Sequence, residues 1–368
     1  EIENPLDIEI GSFDKLVTED QINFASSDVR NNYIDEVIKA TGNIEKKNAK
    51  TVLTSLHGTS LPIVSDILDQ LNYDNYVIAQ SQSIPDGTFP TVNSPNPENE
   101  SAFEVGKHLA EESDAQLIIA TDPDADWLGI VERLGNGEYK FFNGNELGLI
   151  LMKLRYQDLI DASYEDLYIV KSIVTSELSE QLADVLNVKV YNVLTGFKYI
   201  SEILNDKSHS KEKLLLAFEE SNGYMAKPFV RDKDAIQIVP LIIKYKNLLN
   251  ANNITLKDTL DDIYRTIGHY HSINLSPVFE GAEGQHKIEE IINSFRNKTI
   301  HQVCGLDVKA IEDYQLGTIE NIESGEKDAT YLPNTNLIRL IFDEGFIAIR
   351  PSGTEPKIKI YFSLNVNN

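Results

Sequence analysis

The sequence predicts an α/β protein of several units: two α/β/α domains with mostly parallel mixed sheets, followed by a smaller α+β C-terminal domain. Three observations carry that expectation. The 368 residues exceed what one hydrophobic core serves, at roughly 100 to 200 residues per domain. From Lys50 onward short apolar runs alternate with segments of helical spacing, twice over, the pattern of parallel strands covered by helices. After His271 the alternation stops and strands follow one another around a single helix. The expected divisions are 1–30, the tail of a preceding unit with its linker; α/β/α domains at 31–145 and 146–270; and an α+β domain at 271–368.

Residues 1–30 hold no complete periodic unit. In the next division the apolar run 51–56 predicts a strand, Ile63, Ile67, Leu68 and Leu71 fall on one helical face, and 76–79 predicts a second strand. A helix with Ala102, Val105 and Leu109 on one face and a strand at 117–120 complete βαβαβ, an order whose ligands gather at the carboxyl ends of the strands. The pattern recurs with strands at 167–171, 188–192 and 214–218 and helices at 176–186, 236–249 and 256–267. The last division reads as a strand after His271, a helix at 286–295, then strands near 337–342, 346–350 and 358–362.

Composition narrows the function. A net charge of −25 with no run of Lys or Arg repels a nucleic-acid backbone, so nucleic acid is excluded as a partner. An anionic substrate would need the few basic residues concentrated where it binds. No apolar run approaches the roughly 20 residues of a membrane span. The single cysteine, Cys304, cannot close an internal disulfide and is expected to be a small buried residue. The opening Glu1-Ile2-Glu3-Asn4-Pro5 has no signal-peptide character, so a cytoplasmic protein is expected. A start without methionine suggests that something upstream is absent.

Asp122-Pro123-Asp124-Ala125-Asp126 follows the strand at 117–120. Carboxylates at alternate positions of a loop can turn together onto a hard cation such as Mg²⁺. The alternatives are a solvated acidic turn and an aspartyl nucleophile of a phosphotransferase. An EF-hand is excluded, since Trp127 and Arg133 occupy the places of its turn glycine and final glutamate. Arg350-Pro351-Ser352-Gly353-Thr354 lies between two predicted strands, where a guanidinium, hydroxyls and amides freed by glycine can surround a phosphate. Glu219-Glu220-Ser221 follows the strand at 214–218 and suits vicinal sugar hydroxyls, although a solvated turn would read the same way. Arg231, Lys233, Lys198, Lys357 and Lys359 are the candidates for a local basic cluster. His269 and His271 are expected to form a plain linker. His57 ends a strand, either lining the cleft or serving structure.

These pieces, in this order, resemble the α-D-phosphohexomutases, from about Asn31 to Leu364. Asp122 to Asp126 is similar to that family's metal loop and Glu219 to Ser221 to its sugar-binding segment. Thr195-Gly196-Phe197-Lys198, Arg231-Asp232-Lys233-Asp234 and Arg350-Pro351-Ser352-Gly353-Thr354 resemble its remaining loops. Leu56-His57-Gly58-Thr59 and Ser94-Pro95-Asn96-Pro97 resemble segments of its second domain. The extended forms look most like bacterial phosphoglucomutases.

The resemblance implies interconversion of glucose 1-phosphate and glucose 6-phosphate through glucose 1,6-bisphosphate. It further implies Mg²⁺ on Asp122, Asp124 and Asp126, and sugar held by Glu219, Ser221, Thr195, Gly196 and Lys198. Phosphate would be held by Arg350, Ser352, Gly353, Thr354, Arg231 and Lys233.

Two departures from the family pattern affect chemistry. No T-x-S-H-N-P phosphoserine loop occurs, so a chain lacking its first domain is expected, inactive alone and associating through the surface so exposed. Trp127 stands where the metal loop has arginine, removing a charge from beside the reacting phosphoryl group. The alternative is a non-catalytic sugar-phosphate-binding protein or a decayed mutase.

Overall fold

The computed structural model describes residues 6, 10–279, 281–296, 300–353 and 356–365. The first layer begins with α1 (Phe13–Thr18) and α2 (Ser27–Thr41), then β1 (Thr51–Thr54), α3 (Leu61–Gln70), β2 (Tyr76–Ile78), α4 (Glu104–Ser113), β3 (Leu117–Thr121), β4 (Leu128–Arg133) and β5 (Tyr139–Phe142). Its sheet runs β2-β1-β3-β4-β5. β1 is parallel to β2 and β3, while β4 and β5 return antiparallel. β1 and β3 are buried at every position, which is why they read as continuous apolar runs.

The second layer comprises α5 (Gly144–Asp161), β6 (Leu167–Ser172), α6 (Leu178–Leu186), β7 (Lys189–Val193), α7 (Phe197–Asp206), β8 (Lys213–Phe218), β9 (Tyr224–Met225), α8 (Ala235–Asn250) and α9 (Leu256–Ile267). Its sheet runs β7-β6-β8-β9, with β6 parallel to β7 and β8. Asn143 and Glu146 form a reciprocal cap that starts α5, and Thr255 with Asp258 does the same for α9. One apolar core runs through both layers, joining Ile119, Ile130 and Phe142 to Ile169, Leu216 and Phe218 by way of α5 and α8. Within it Glu132 and Lys246 form a 2.7 Å ion pair, 0% and 2% exposed.

The third layer holds β10 (His271–Leu275), α10 (Gly281–Arg296), β11 (Gln302–Val303), β12 (Leu306–Asp307), β13 (Ala310–Asp313), β14 (Thr318–Asn321), β15 (Lys327–Ala329), β16 (Ile338–Phe342), β17 (Gly345–Pro351) and β18 (Ile358–Leu364). Seven strands form an antiparallel sheet in the order β10-β18-β17-β16-β13-β14-β15, and β11 with β12 makes a separate ribbon. This is the expected class of two α/β/α layers and a smaller α+β layer.

Several details differ from the sequence reading. Residues 13–18 do form a helical turn, and α2 starts at Ser27 and docks on α8, where Tyr33 donates to Asp234 at 2.9 Å and Lys227 pairs with Glu36 at 2.7 Å. Cys304 is exposed, because it occupies a positive-φ position in the turn between β11 and β12. His269 and His271 do lie at the junction of α9 and β10, with ring centroids 4.7 Å apart. Among the described residues no helix is long and apolar enough to cross a membrane.

Candidate functional site

The acidic loop leaves the carboxyl end of β3. Asp122 is nearly buried; its Oδ1 accepts the amides of Asp126 at 3.0 Å and Trp127 at 2.9 Å. Those bonds fold the loop so that one oxygen from each of Asp122, Asp124 and Asp126 lies within 4.8 Å of the others. A set of hard oxygens at that spacing fits a small divalent cation. Burial, and then the neighbouring Asp126 and Asp124 carboxylates, push Asp122 up to about 8, an excess of negative charge that a cation relieves. The loop rests on two supports. Thr59 donates its amide and hydroxyl to the Pro123 carbonyl, each at 3.0 Å, and the first amide of α8, Ala235, donates to the Ala125 carbonyl at 3.1 Å.

The second loop leaves the carboxyl end of β8. The Glu219 amide donates to the Gly223 carbonyl at 2.9 Å. Its carboxylate accepts the Gly196 amide at 2.8 Å, an approach for which Gly196 adopts a φ of 120°, a region that favours glycine. Burial and the adjacent Glu220 push Glu219 up to about 7, against the pull of Gly196, Lys233 and Arg350. Glu220 turns the other way and accepts from Ser172 at 3.0 Å and Thr175 at 3.2 Å.

The two loops are joined. Trp127 bridges Gly223, the Leu128 amide donates to the Asn222 carbonyl at 3.0 Å, and the Asn222 side chain returns a 2.9 Å bond to Leu128. Lys233 reaches over Gly223, whose absent Cβ would stand 2.7 Å from the lysine Cδ, and places Nζ 2.5 Å from Asp126.

The phosphate candidate Arg350 ends β17. Its Nε donates to the Tyr361 hydroxyl at 3.0 Å, and its cross-strand partner on β18 is Lys359. Alternation along β18 puts Lys359 and Tyr361 on the same face as Arg350. The Ser352 amide donates to the Lys357 carbonyl at 2.8 Å, closing the turn; Gly353 is exposed, and Thr354 lies outside the described residues. Between β18, the sugar-loop candidate and the start of α5 opens a polar cleft of about 570 Å³. Ser221, Glu220, Lys357, Lys359, Asn96 and Glu98 line it.

Thus the fold brings Asp122, Asp124, Asp126, Lys233, Glu219 and Gly196 into one connected set, with Ser221 and the Arg350 strand on its flank. Thr195 precedes Gly196 with a buried hydroxyl that has no partner among the described residues. Lys198 stacks on Tyr199, 4.6 Å from the ring centre, and Arg231 bonds the Pro228 carbonyl of its own turn; among the described residues neither side chain has a hydrogen bond or ion pair to that set. Asp234 caps α8. His57 is buried, with Nε2 2.8 Å from the Thr91 hydroxyl. Sequence reasoning missed Glu98, placed Glu220 in the sugar-loop candidate without its turn towards Ser172 and Thr175, and left Lys359 as one charge of a diffuse cluster. The period-two pattern of Lys357, Lys359 and Tyr361 was the available signal.

Two family profiles match: phosphoglucomutase/phosphomannomutase α/β/α domain II over residues 31–135 and α/β/α domain III over 143–267. The chain belongs to the phosphoglucomutase/phosphomannomutase family of α-D-phosphohexomutases. It is 56% identical over 368 residues to the phosphoglucomutase of Staphylococcus saprophyticus, covering all of this chain and 66% of that protein. It is 44% identical over 367 residues to the phosphoglucomutase of Staphylococcus epidermidis, covering 99% and 66%. The chain therefore spans somewhat less than two thirds of these relatives' length. Among solved structures it resembles a phosphoglucomutase/phosphomannomutase family protein from Burkholderia thailandensis, with a TM-score of 0.62 at 16% identity over 96% of this chain and 65% of that one. It also resembles the open form of parafusin from Paramecium, with a TM-score of 0.58 at 19% identity over 89% of this chain and 55% of that one. At such identities the likeness is one of fold.

Proposed function

We propose that these loops supply the cation, sugar and phosphate sites of a phosphoglucomutase, which interconverts glucose 1-phosphate and glucose 6-phosphate through a 1,6-bisphosphate. The observation that carries this reading is the placement of Glu219 in the field of both Lys233 and Arg350, with Lys233 in turn on the acidic loop. A hydroxyl acceptor thus stands within the electrostatic reach of two cations that suit the phosphates of one sugar. The relatives' shared description as phosphoglucomutases supports glucose over other hexoses.

In this reading Asp122, Asp124 and Asp126 hold Mg²⁺. When bound, the ion neutralises charge on the transferring phosphoryl group. Glu219 and Ser221 accept from and donate to sugar hydroxyls, while the Gly196 amide holds the Glu219 carboxylate and Thr195 keeps an unpartnered hydroxyl beside Gly196 for the sugar. Arg350, Ser352, Gly353, Thr354 and Lys359 grip the phosphate that is not reacting, and Lys233 supplies a charge at the other end; Lys198 and Arg231 stand at the rim. Asp122 as a nucleophile is disfavoured, because its Oδ1 is engaged by two amides. The reaction belongs in the cytoplasm, where an exposed thiol such as Cys304 stays reduced. The exposed apolar side chains of Leu6, Ile10, Phe13 and Phe24 favour association; a mass independent of concentration by light scattering would remove that element.

The second reading, a sugar-phosphate-binding protein without turnover, is favoured by one residue: Trp127 stands beside the acidic loop where the family pattern has a guanidinium. A coupled assay for glucose 6-phosphate separates the two. It is run on the chain alone and with the remaining third of the S. saprophyticus relative supplied as a separate polypeptide. Magnesium-dependent turnover in the mixture supports the mutase. Silence, also with Trp127→Arg, alongside saturable binding of glucose 1,6-bisphosphate that Arg350→Ala abolishes, supports the binding protein. Absence of saturable binding in the mixture defeats both.

A further inference from the structure

We propose that Arg339 is a positioning residue that seats the sheet carrying Arg350 against the loop carrying Glu219. The inference rests on the sugar-phosphate reading above for its consequence but not for its geometry. Arg339 lies on β16, the strand next to β17, and is 8% exposed. Its guanidinium donates to Glu312, its cross-strand partner on β13, at 2.7 Å, and across the layer boundary to Glu177 at 3.3 Å. The guanidinium carbon stands 4.4 Å above the Phe346 ring, and Nε has no hydrogen-bond partner among the described residues.

Glu177 ends the loop that runs from β6 to α6, and that short loop, with Ser172 just before it, reaches both the sugar-loop candidate and the third layer. Ser172 and Thr175 hold Glu220, the neighbour of both Glu219 and Ser221. Ile173 and Val174 enter an apolar seam with Phe346, Ala348 and Tyr361 of the third layer. Tyr361 in turn receives Arg350. The Arg339–Glu177 contact is therefore the charged part of a seam that is otherwise apolar apart from one buried hydroxyl pair, Ser176 with Ser363 of β18 at 3.0 Å. Burying a guanidinium is a poor way to gain stability, since apolar replacements of buried ion pairs are often neutral or better. A directional fork that fixes register explains its presence, because a planar guanidinium with one nitrogen on Glu312 and the other on Glu177 admits few alternative seatings.

The test uses the full chain and the variants Arg339→Lys, Arg339→Met and Glu177→Gln. Hydrogen exchange across residues 173–177 and 345–351 reads seating without any ligand, and calorimetric titration with glucose 1,6-bisphosphate reads its consequence. Arg339→Met is expected to raise exchange in both segments and weaken the bisphosphate by about tenfold. Arg339→Lys should restore part of each effect, Glu177→Gln should reproduce them, and the double variant should be no worse than Arg339→Met. A merely structural arginine would instead lower melting temperature without the lysine rescue or the non-additivity. Unchanged exchange in Arg339→Met overturns the proposal whether or not the bisphosphate binds. Raised exchange in a protein that never binds the bisphosphate, also when mixed with the separately supplied remaining third of the relative, leaves the seating role standing and overturns the sugar-phosphate reading. Should Arg339→Met fail to fold, a silent Glu177→Gln overturns the proposal and an impaired one with partial rescue by Arg339→Lys supports it.

Discussion

Gly58 lies against the backbone of Pro123 so closely that a Cβ at position 58 would stand 2.3 Å from the Pro123 Cα and 2.5 Å from its carbonyl oxygen. The loop after β1 is thereby the floor of the acidic loop, and glycine is required by space, not by backbone angle. Gly58→Ala must push Pro123 away and with it the flanking Asp122 and Asp124. The expected loss is about 2 kcal/mol of stability, as for overpacking elsewhere, with at least a tenfold weaker response to Mn²⁺ or Mg²⁺ in a calorimetric titration. Unaltered cation binding would detach the floor from the loop.

Lys233 competes with a cation for Asp126, since its ammonium sits 2.5 Å from the carboxylate. Lys233→Met is expected to raise divalent-cation affinity by roughly threefold to tenfold while weakening sugar phosphate. A fall in cation affinity, read by the same titration, would mean that the lysine shapes the loop more than it opposes the ion.

Glu219 makes the ligand-free protein sensitive to pH. Its pKa is raised to about 7 by burial and by Glu220, above the ordinary glutamate value. The folded state therefore holds this proton more tightly than the unfolded chain. The resulting stabilisation is complete below about pH 4 and is lost as pH rises through about 7. Glu219→Gln should flatten this contribution, which is on the order of 2 kcal/mol. Urea unfolding at pH 5 and pH 8 checks it: an equal pH slope in parent and variant would refute the assignment.

The Glu132–Lys246 pair joins β4 to α8 in near-complete burial, and Glu132 also accepts the first amides of α9, from Leu256 at 2.9 Å and Lys257 at 3.0 Å. Lys246→Met leaves a buried carboxylate without its ammonium and is expected to cost about 3 to 5 kcal/mol. Adding Glu132→Gln should recover part of it, because the amide keeps an acceptor for the α9 amides. Denaturant midpoints of the two variants decide the matter; a single variant as stable as the parent would show that water reaches Glu132.

What the sequence revealed follows from how each signal is encoded. β1, β3, β6 and β8 are buried throughout most of their length, so apolar runs marked them. α5 escaped notice because its first half holds an unbroken apolar run, Leu149 to Met152, while its polar side chains Lys153, Arg155, Gln157 and Asp158 gather in the second half, one of them buried, so no helical period stands out. β15 is exposed at every position and carries no hydrophobic signal at all. Within the candidate site, Asp122 to Asp126 and Glu219 to Ser221 were legible because each lies in one short segment. The relations between segments were not: the Trp127–Gly223 bridge, the reach of Lys233 to Asp126, and the strand register that sets Lys359 beside Arg350 depend on tertiary pairing. Cys304 was misplaced because a small sulfur side chain looks buried by type, whereas a tight ribbon turn exposes whatever residue occupies it.

The bridge from Trp127 and Leu128 to Asn222 and Gly223 divides the molecule mechanically. The cation and sugar candidates ride on strands that share one continuous core and form one jaw, while Arg350 and Lys359 arrive on a separate sheet across the seam that Arg339 and Glu177 span and form the other. On the proposed sugar-phosphate reading, the distance between the two jaws would set the span from sugar ring to distal phosphate that the protein accepts.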